Sequence, residues 1–229
     1  MLNFLTGLFD LFFPEVCLNC NELLQIKGRY VCFYCLSEMP LTHFSFMPGN
    51  TVETTFKGRV PVKAATSLLY FEKKSLVQKL MHSLKYRQQP HIGVFLGKWL
   101  GEEMLISKRF KKIDLVVPVP LHPNRQKKRG YNQVMLFAET LSVQLNAELR
   151  PEVLVKIADR RTQTHKGRLE RISHTRGDYK IKYRQSLKNK HILLVDDIIT
   201  TGATLEACSI ELLHVPGVQL SFASMAFTI

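Results

Sequence analysis

The stretch HILLVDDIITTGATLEAC (191–208) constrains the fold of this chain more than any other. Ile192 to Val195 read as an apolar strand that runs straight into Asp196 and Asp197. A Thr200-Thr201-Gly202-Ala203-Thr204 turn then opens a helix. In open α/β sheets, ligands collect at the carboxyl ends of strands, and the two aspartates fall at such an end. Adjacent carboxylates repel unless cationic or hydrogen-bonding groups stabilise both. Ribose hydroxyls and a bound divalent cation do that. The turn supplies backbone N–H groups, three hydroxyl side chains and the positive end of a helix dipole, which together cradle an anion. Gly202 lets the backbone approach that anion closely. A sugar on the aspartates and a phosphate on the turn describe a ribose 5-phosphate. Thr caps and two solvated aspartates would explain either half alone, but not the combination.

The rest of the chain supplies a sheet for this strand. From Asp114 onward, DLVVPVP is a short strand closed by prolines and NQVMLFAETLSVQLNAEL (132–149) a helix. VLVKIA (153–158) is a strand, and a long polar, basic segment (159–190) follows. After ILLV come a helix over 204–214 and a last strand, VQLSFASMAFTI. This order predicts an α/β domain with a mostly parallel sheet. Upstream, VKAATSLLYFE (62–72) reads as a strand or hairpin. SLVQKLMHSLKY (75–86) and GVFLGKWLGEEMLISKRF (93–110) carry helical periodicity. There is no internal repeat.

The 229 residues suffice for one well-cored domain plus a small appendage. With 45% hydrophobic residues, the chain is globular rather than disordered. The expected division is an N-terminal helix and metal ribbon over 1–50 and an α/β domain over 51–229. No apolar run reaches the roughly 18 residues that cross a bilayer. MLNFLTGLFDLFFP lacks a basic n-region and carries Asp10. It reads as a short buried helix ending near Pro14, not a signal peptide, so the cytoplasm is the expected compartment. An amphipathic membrane anchor is the competing reading, and the missing basic residues argue against it.

Four of the five cysteines form two CxxC pairs, Cys17/Cys20 and Cys32/Cys35, separated by eleven residues. Each pair offers two thiolates from a tight turn, and a hairpin between them assembles a tetrahedral zinc site. Two disulfides are the rival, disfavoured in a cytoplasmic chain. With four protein ligands the site is closed, so its role is to fold a segment too small to build its own core. Cys208 reads as a small core residue. His82, His91, His122, His165, His174, His191 and His214 show no ligand spacing and read as surface or loop residues.

The net charge is +13, and residues 123–190 alone hold 17 Lys+Arg against 6 Asp+Glu. Positive charge gathered in one stretch points to an anionic partner, of which nucleic acid is the commonest. Within it, Arg125 and Arg129 are planar forks suited to phosphate. Lys127 and Lys128 add point charge, and Tyr131 offers a ring on which a base can stack.

The strand-DD-TTGAT stretch resembles the phosphoribosyl pyrophosphate motif of type I phosphoribosyltransferases. The CxxC…CxxC ribbon, Lys85-Tyr86, VPVPLHPNRQKKRGYNQ (117–133) and VDDIITTGAT together resemble the ComF family (competence protein F) along the whole chain. Pro118, Pro120, Arg125, Arg129, Gly130, Asn132 and Gln133 fall on matching positions, as do Gln163 and Arg171 in TQTHKGRLER. His174 stands where an asparagine commonly follows that arginine. The resemblance implies a type I phosphoribosyltransferase-like fold with a mostly parallel sheet and a small N-terminal zinc ribbon. It implies that Asp196 and Asp197 bind the ribose, and that Thr200, Thr201, Gly202, Ala203 and Thr204 bind the 5-phosphate. It also implies Mg²⁺ bridging ribose and pyrophosphate oxygens, a pyrophosphate loop after 116–122, and a hood loop after VLVKIA. The implied role is handling of incoming single-stranded DNA in natural transformation, near the cytoplasmic side of the membrane. The implied partners are an uptake helicase and recombination-loading proteins. The alternative is an active phosphoribosyltransferase acting on a base or amine, although no base-specific pocket is recognisable.

Overall fold

The computed structural model describes residues 14–26, 29–157 and 178–228. The expected N-terminal helix over residues 1–13, the matches at Gln163 and Arg171, the departure at His174, and His165 all lie outside the described residues. Five strands form one all-parallel sheet: β1 (Ala65–Phe71), β2 (Leu115–Pro118), β3 (Glu148–Leu149), β6 (His191–Ile199) and β7 (Gln219–Thr228), in the order β1-β7-β6-β2-β3. The remaining two, β4 (Leu154–Lys156) and β5 (Tyr179–Ile181), pair antiparallel as a separate ribbon. An all-parallel sheet must be covered on both faces, so its central strands read as unbroken apolar runs. Ile192, Leu193, Leu194 and Val195 are all fully buried.

Alternation along β6 assigns the two faces. Leu193 and Val195 join a core with Leu80, Leu96 and Phe137. These come from helices α3 (Leu76–Tyr86), α4 (His91–Ser107) and α6 (Met135–Gln144). Ile192 and Leu194 join a second core with Phe56, Leu205 and Leu212, from α2 (Thr51–Phe56) and α7 (Ala203–Leu213). Two further short helices are α1 (Phe33–Ser37) and α5 (Pro123–Arg129). The N-terminal cysteine segment joins the first core through Cys17, Val31 and Cys35.

Three local expectations are corrected. The helix expected over 132–149 stops at Gln144, because Asn146 takes a left-handed conformation (φ 50°) that ends it. Glu148–Leu149 then add a short edge strand parallel to β2. VLVKIA does not enter the main sheet: its partner is β5, inside the stretch read as a polar segment. His191 is not a surface residue. It is buried at the start of β6, with Nε2 2.9 Å from Ser221 Oγ, and burial holds its pKa below the usual imidazole value.

Packing of α4 on α6 depends on small residues. A Cβ on Gly97 would lie 2.9 Å from Thr140 Cβ and 3.2 Å from Phe137 O. Gly97→Val therefore forces the helices apart, and overpacking of this kind costs about 1–3 kcal/mol. Urea denaturation should show that loss with an unchanged m-value; a midpoint equal to wild type would contradict the close approach.

Candidate functional site

Strand register explains why two carboxylates occupy the middle of an apolar element. Strand β2 ends with Pro118 paired to Val195, whereas β7 follows β6 as far as Ile199 paired with Phe227. Strand β6 thus runs four residues beyond the expected ILLV. The aspartates lie just past the point where β2 leaves, at the carboxyl edge of the sheet. Each carboxylate accepts the next backbone N–H: Asp197 N donates to Asp196 Oδ1 at 2.8 Å, and Ile198 N to Asp197 Oδ1 at 2.6 Å.

The pair is electrostatically unequal. Lys85 Nζ is 2.7 Å from Asp197 Oδ2, both side chains being mostly buried. Asp196 is only 9% exposed. Burial, reinforced by the charge of Asp197, pushes its carboxyl up to about 7 against the pull of the Asp197 N–H, Lys85 and Lys156. Lys156 sits at the base of the β4–β5 ribbon, with Nζ 3.1 Å from the Tyr179 hydroxyl.

Beyond the strand, Gly202 caps α7 in a left-handed conformation with φ 74°. A Cβ there would meet the Phe56 ring at 2.7 Å. Gly202 itself contributes no side-chain cap to this N-terminus. Thr200 and Thr204 are exposed, and their hydroxyls make no hydrogen bond among the described residues. Thr201 Oγ1 is 3.5 Å from Ala203 N. Arg59, which sequence reasoning did not single out, donates to Thr201 O at 2.9 Å and ion-pairs with Glu206 in the first turn of α7. No local signal marks it, since the contact spans 142 residues.

The last turn of α3 ties this edge to the basic loop. The Tyr131 hydroxyl donates to Leu84 O, and the Arg129 guanidinium lies 5.4 Å above the Tyr86 ring. Arg129 also donates to Gln133 Oε1 at 2.7 Å, and Gln133 Nε2 donates to Tyr131 O at 2.9 Å. Asn132 Nδ2 donates to Val119 O at 3.1 Å while its Oδ1 accepts from Val134 N at 3.2 Å. Asn132 and Gln133 therefore build the loop, and Pro118 is buried at the end of β2. Arg125 is half-buried on α5 and its guanidinium makes no polar contact among the described residues. Lys85 was matched in the sequence without a role; its contact with Asp197 joins segments 112 positions apart, which no periodicity reveals.

The four paired cysteines converge. Their sulfurs all lie within 4.8 Å of one another, and Cys20 and Cys32 are 3.6 Å apart. Left-handed Asn21 closes the first knuckle, with its N–H donating to Cys17 O at 3.0 Å. Cys32 caps α1, accepting from Cys35 N at 3.5 Å. Burial alone would raise the Cys17 thiol, but N–H groups of Cys20, Cys32 and Asn19 and the Cys20 thiol outweigh it and lower it to about 6. Cys32 gains from the Cys35 N–H but is desolvated and crowded by neighbouring thiols, and ends pushed up to about 12. One thiolate thus suppresses ionisation of another, a conflict that a divalent cation among four sulfurs removes. All five cysteines are free thiols. Four clustered sulfurs could hold a soft tetrahedral ion such as Zn²⁺, bound at about 2.3 Å per sulfur. Cys208 is fully buried on α7.

These features define a three-layer parallel α/β protein carrying a four-cysteine staple at one flank. No family model matches the chain. It is 36% identical over 198 residues to the Streptococcus pneumoniae competence protein ComFC, covering 86% of this chain and 74% of that one. It is 28% identical over 210 residues to competence protein F of Haemophilus influenzae, covering 89% and 86% respectively. The DNA utilization protein YhgH of Salmonella typhi is 27% identical over 129 residues, and the chain spans only about half, 56%, of its length. The chain belongs to the ComF family. Adenine phosphoribosyltransferase of Saccharomyces cerevisiae overlaps it with TM-score 0.39 at 18% identity, over 63% of this chain and 72% of that one. An overlap this loose carries nothing about the site. No helix among the described residues is long and apolar enough to cross a membrane.

Two outcomes are expected. A strong chelator should lower the melting temperature, as should Cys17→Ser with Cys35→Ser, and a melting curve indifferent to both would rule out a structural metal. For Asp196, the folded chain holds its proton more tightly than the unfolded chain does. Its contribution to stability is therefore full below the ordinary carboxylate range and is lost as pH rises toward 7. Asp196→Asn should flatten the fall in melting temperature between pH 4 and 7.5 and make the protein more stable above pH 7. An unchanged pH profile would refute the buried, protonated carboxyl.

Proposed function

We propose that the chain handles single-stranded DNA after uptake, and that the β6 edge takes a phosphoribosyl group, with phosphoribosyl pyrophosphate and Mg²⁺ as the ligand pair. The observation that carries the ligand reading is the edge itself. A buried and a half-buried carboxylate, adjacent in sequence, stand one turn before the N-terminus of α7 and the hydroxyls of Thr200 and Thr204, which make no hydrogen bond among the described residues. The DNA role draws support from relatives named for competence and DNA utilization and from the net charge of +13.

In this reading, ribose hydroxyls donate to Asp196 and Asp197, replacing the ammonium of Lys85 as the partner of Asp197. The 5-phosphate accepts from backbone N–H groups at residues 202–204 and from Thr200, Thr201 and Thr204, favoured by the helix dipole. Mg²⁺ would neutralise charge shared between ribose and pyrophosphate oxygens. Arg125 and Arg129 supply forks for pyrophosphate or for DNA phosphate, and Tyr131 anchors their loop. Gln163 and Arg171 belong to the proposed hood. Zn²⁺ on Cys17, Cys20, Cys32 and Cys35 serves structure alone, because four protein thiolates leave no open position. An uptake helicase and recombination-loading proteins are the proposed partners, met in the cytoplasm near the membrane.

Binding assays test both halves. Asp196→Ala with Asp197→Ala should abolish calorimetric binding of phosphoribosyl pyrophosphate with Mg²⁺ while leaving metal content and fold intact; retained affinity would refute the site. Single-stranded DNA should shift in a gel with a steep salt dependence, and Arg125→Ala with Arg129→Ala should flatten its slope by about one unit per lost phosphate contact. No shift at ~50 mM salt, the low end of the range in which such slopes are read, would count against DNA handling.

A further inference from the structure

A cavity of about 460 Å³ opens between the first cysteine knuckle and the exposed side of α3, lined in part by Asn19, Asn21, Lys79, His82 and Arg87. Among the described residues its lining contains no carboxylate. Lys79 Nζ donates to the backbone and side-chain oxygens of Asn19, both at 3.0 Å, which joins the two walls. Arg87 is exposed, and its guanidinium has no hydrogen bond or ion pair among the described residues.

One turn further along, α3 carries flat groups in sequence. The His82 and Tyr86 rings are 4.9 Å apart at 41°, and the Arg129 guanidinium follows at 5.4 Å from the Tyr86 ring. Tyr86 is 60% exposed, so its ring is open to a stacking partner from solvent. Aromatic rings and guanidinium planes beside a positive groove are the elements that hold single strands, because every base has a face to stack and every nucleotide a phosphate. An acidic peptide would need the charge but not the row of rings.

We infer that this groove, from the cysteine knuckle along α3 to Arg129, is the track on which single-stranded DNA lies, with bases stacked among His82, Tyr86 and Arg129 and phosphates facing Lys79 and Arg87. The inference rests on the DNA-handling reading above and places the strand outside the β6 edge. It also gives the metal a second consequence, since the knuckle that supplies Asn19 and Asn21 is the segment the four cysteines fold.

Fluorescence anisotropy with a labelled oligothymidylate tests the placement on the full chain with its metal. His82→Ala with Tyr86→Ala should weaken binding by tenfold or more at every salt concentration, at about tenfold per lost stacking contact. Arg87→Ala should lower the salt slope by about one. Arg87→Ala should also leave calorimetric binding of phosphoribosyl pyrophosphate with Mg²⁺ unchanged. Photo-cross-linking of wild-type protein to an iododeoxyuridine oligonucleotide, which needs no variant to fold, should label the α3 peptide at Tyr86 or His82. If wild type binds the oligonucleotide while these variants bind equally well and cross-links fall elsewhere, the groove is the wrong surface and the DNA reading stands. If wild type does not bind at all, both fall.

Discussion

Two neighbouring carboxylates held at the edge of a parallel sheet set the terms for everything around them. A strand that enters the core as Ile192–Val195 has nowhere to place charge until β2 departs at Pro118. Asp196 and Asp197 occupy the first positions where one side of β6 is open. Even there Asp196 stays buried and Asp197 needs a cation, which Lys85 provides at 2.7 Å. That ammonium comes from the last turn of α3, the same turn that receives the Tyr131 hydroxyl and stacks under Arg129. The acidic edge and the basic loop are therefore fixed by one helix end, and α3 packs in the same core as Cys17, Val31 and Cys35.

This arrangement comes at a cost in stability. A carboxyl pushed up to about 7 by burial and by its neighbour stores unfavourable energy whenever it ionises. Gly202, with φ 74° and the Phe56 ring against it, admits no side chain. Gly202 offers the N-terminus of α7 no capping side chain, and Thr201 Oγ1 reaches only the Ala203 N–H, at 3.5 Å, although a hydroxyl at position 202 could have satisfied a further N–H. Such departures from local optima cluster where a ligand supplies the missing partners.

The sequence made the sheet legible because the signals are local. Apolar runs located β1, β2, β6 and β7, the 3.6-residue period located α3, α4 and α6, and paired CxxC spacing located the sulfur cluster. What it hid depends on contacts between distant segments. Two residues, Glu148–Leu149, carry too little pattern to announce an edge strand. Strand β5 lies among lysines, and its pairing with β4 is a tertiary fact. His191 looked like a surface residue because its Ser221 partner sits on another strand. The roles of Lys85 and Arg59 emerged for the same reason: each touches a residue more than a hundred positions away.

The most direct measurement is a crystal structure grown with saturating Mg²⁺ and phosphoribosyl pyrophosphate. The ribose hydroxyls should lie within hydrogen-bonding distance of Asp196 and Asp197, with the 5-phosphate against the N–H groups of residues 202–204 and Lys85 no longer bound to Asp197 alone. Ligand density elsewhere on the protein, or an edge still closed by Lys85 at saturation, would contradict the account.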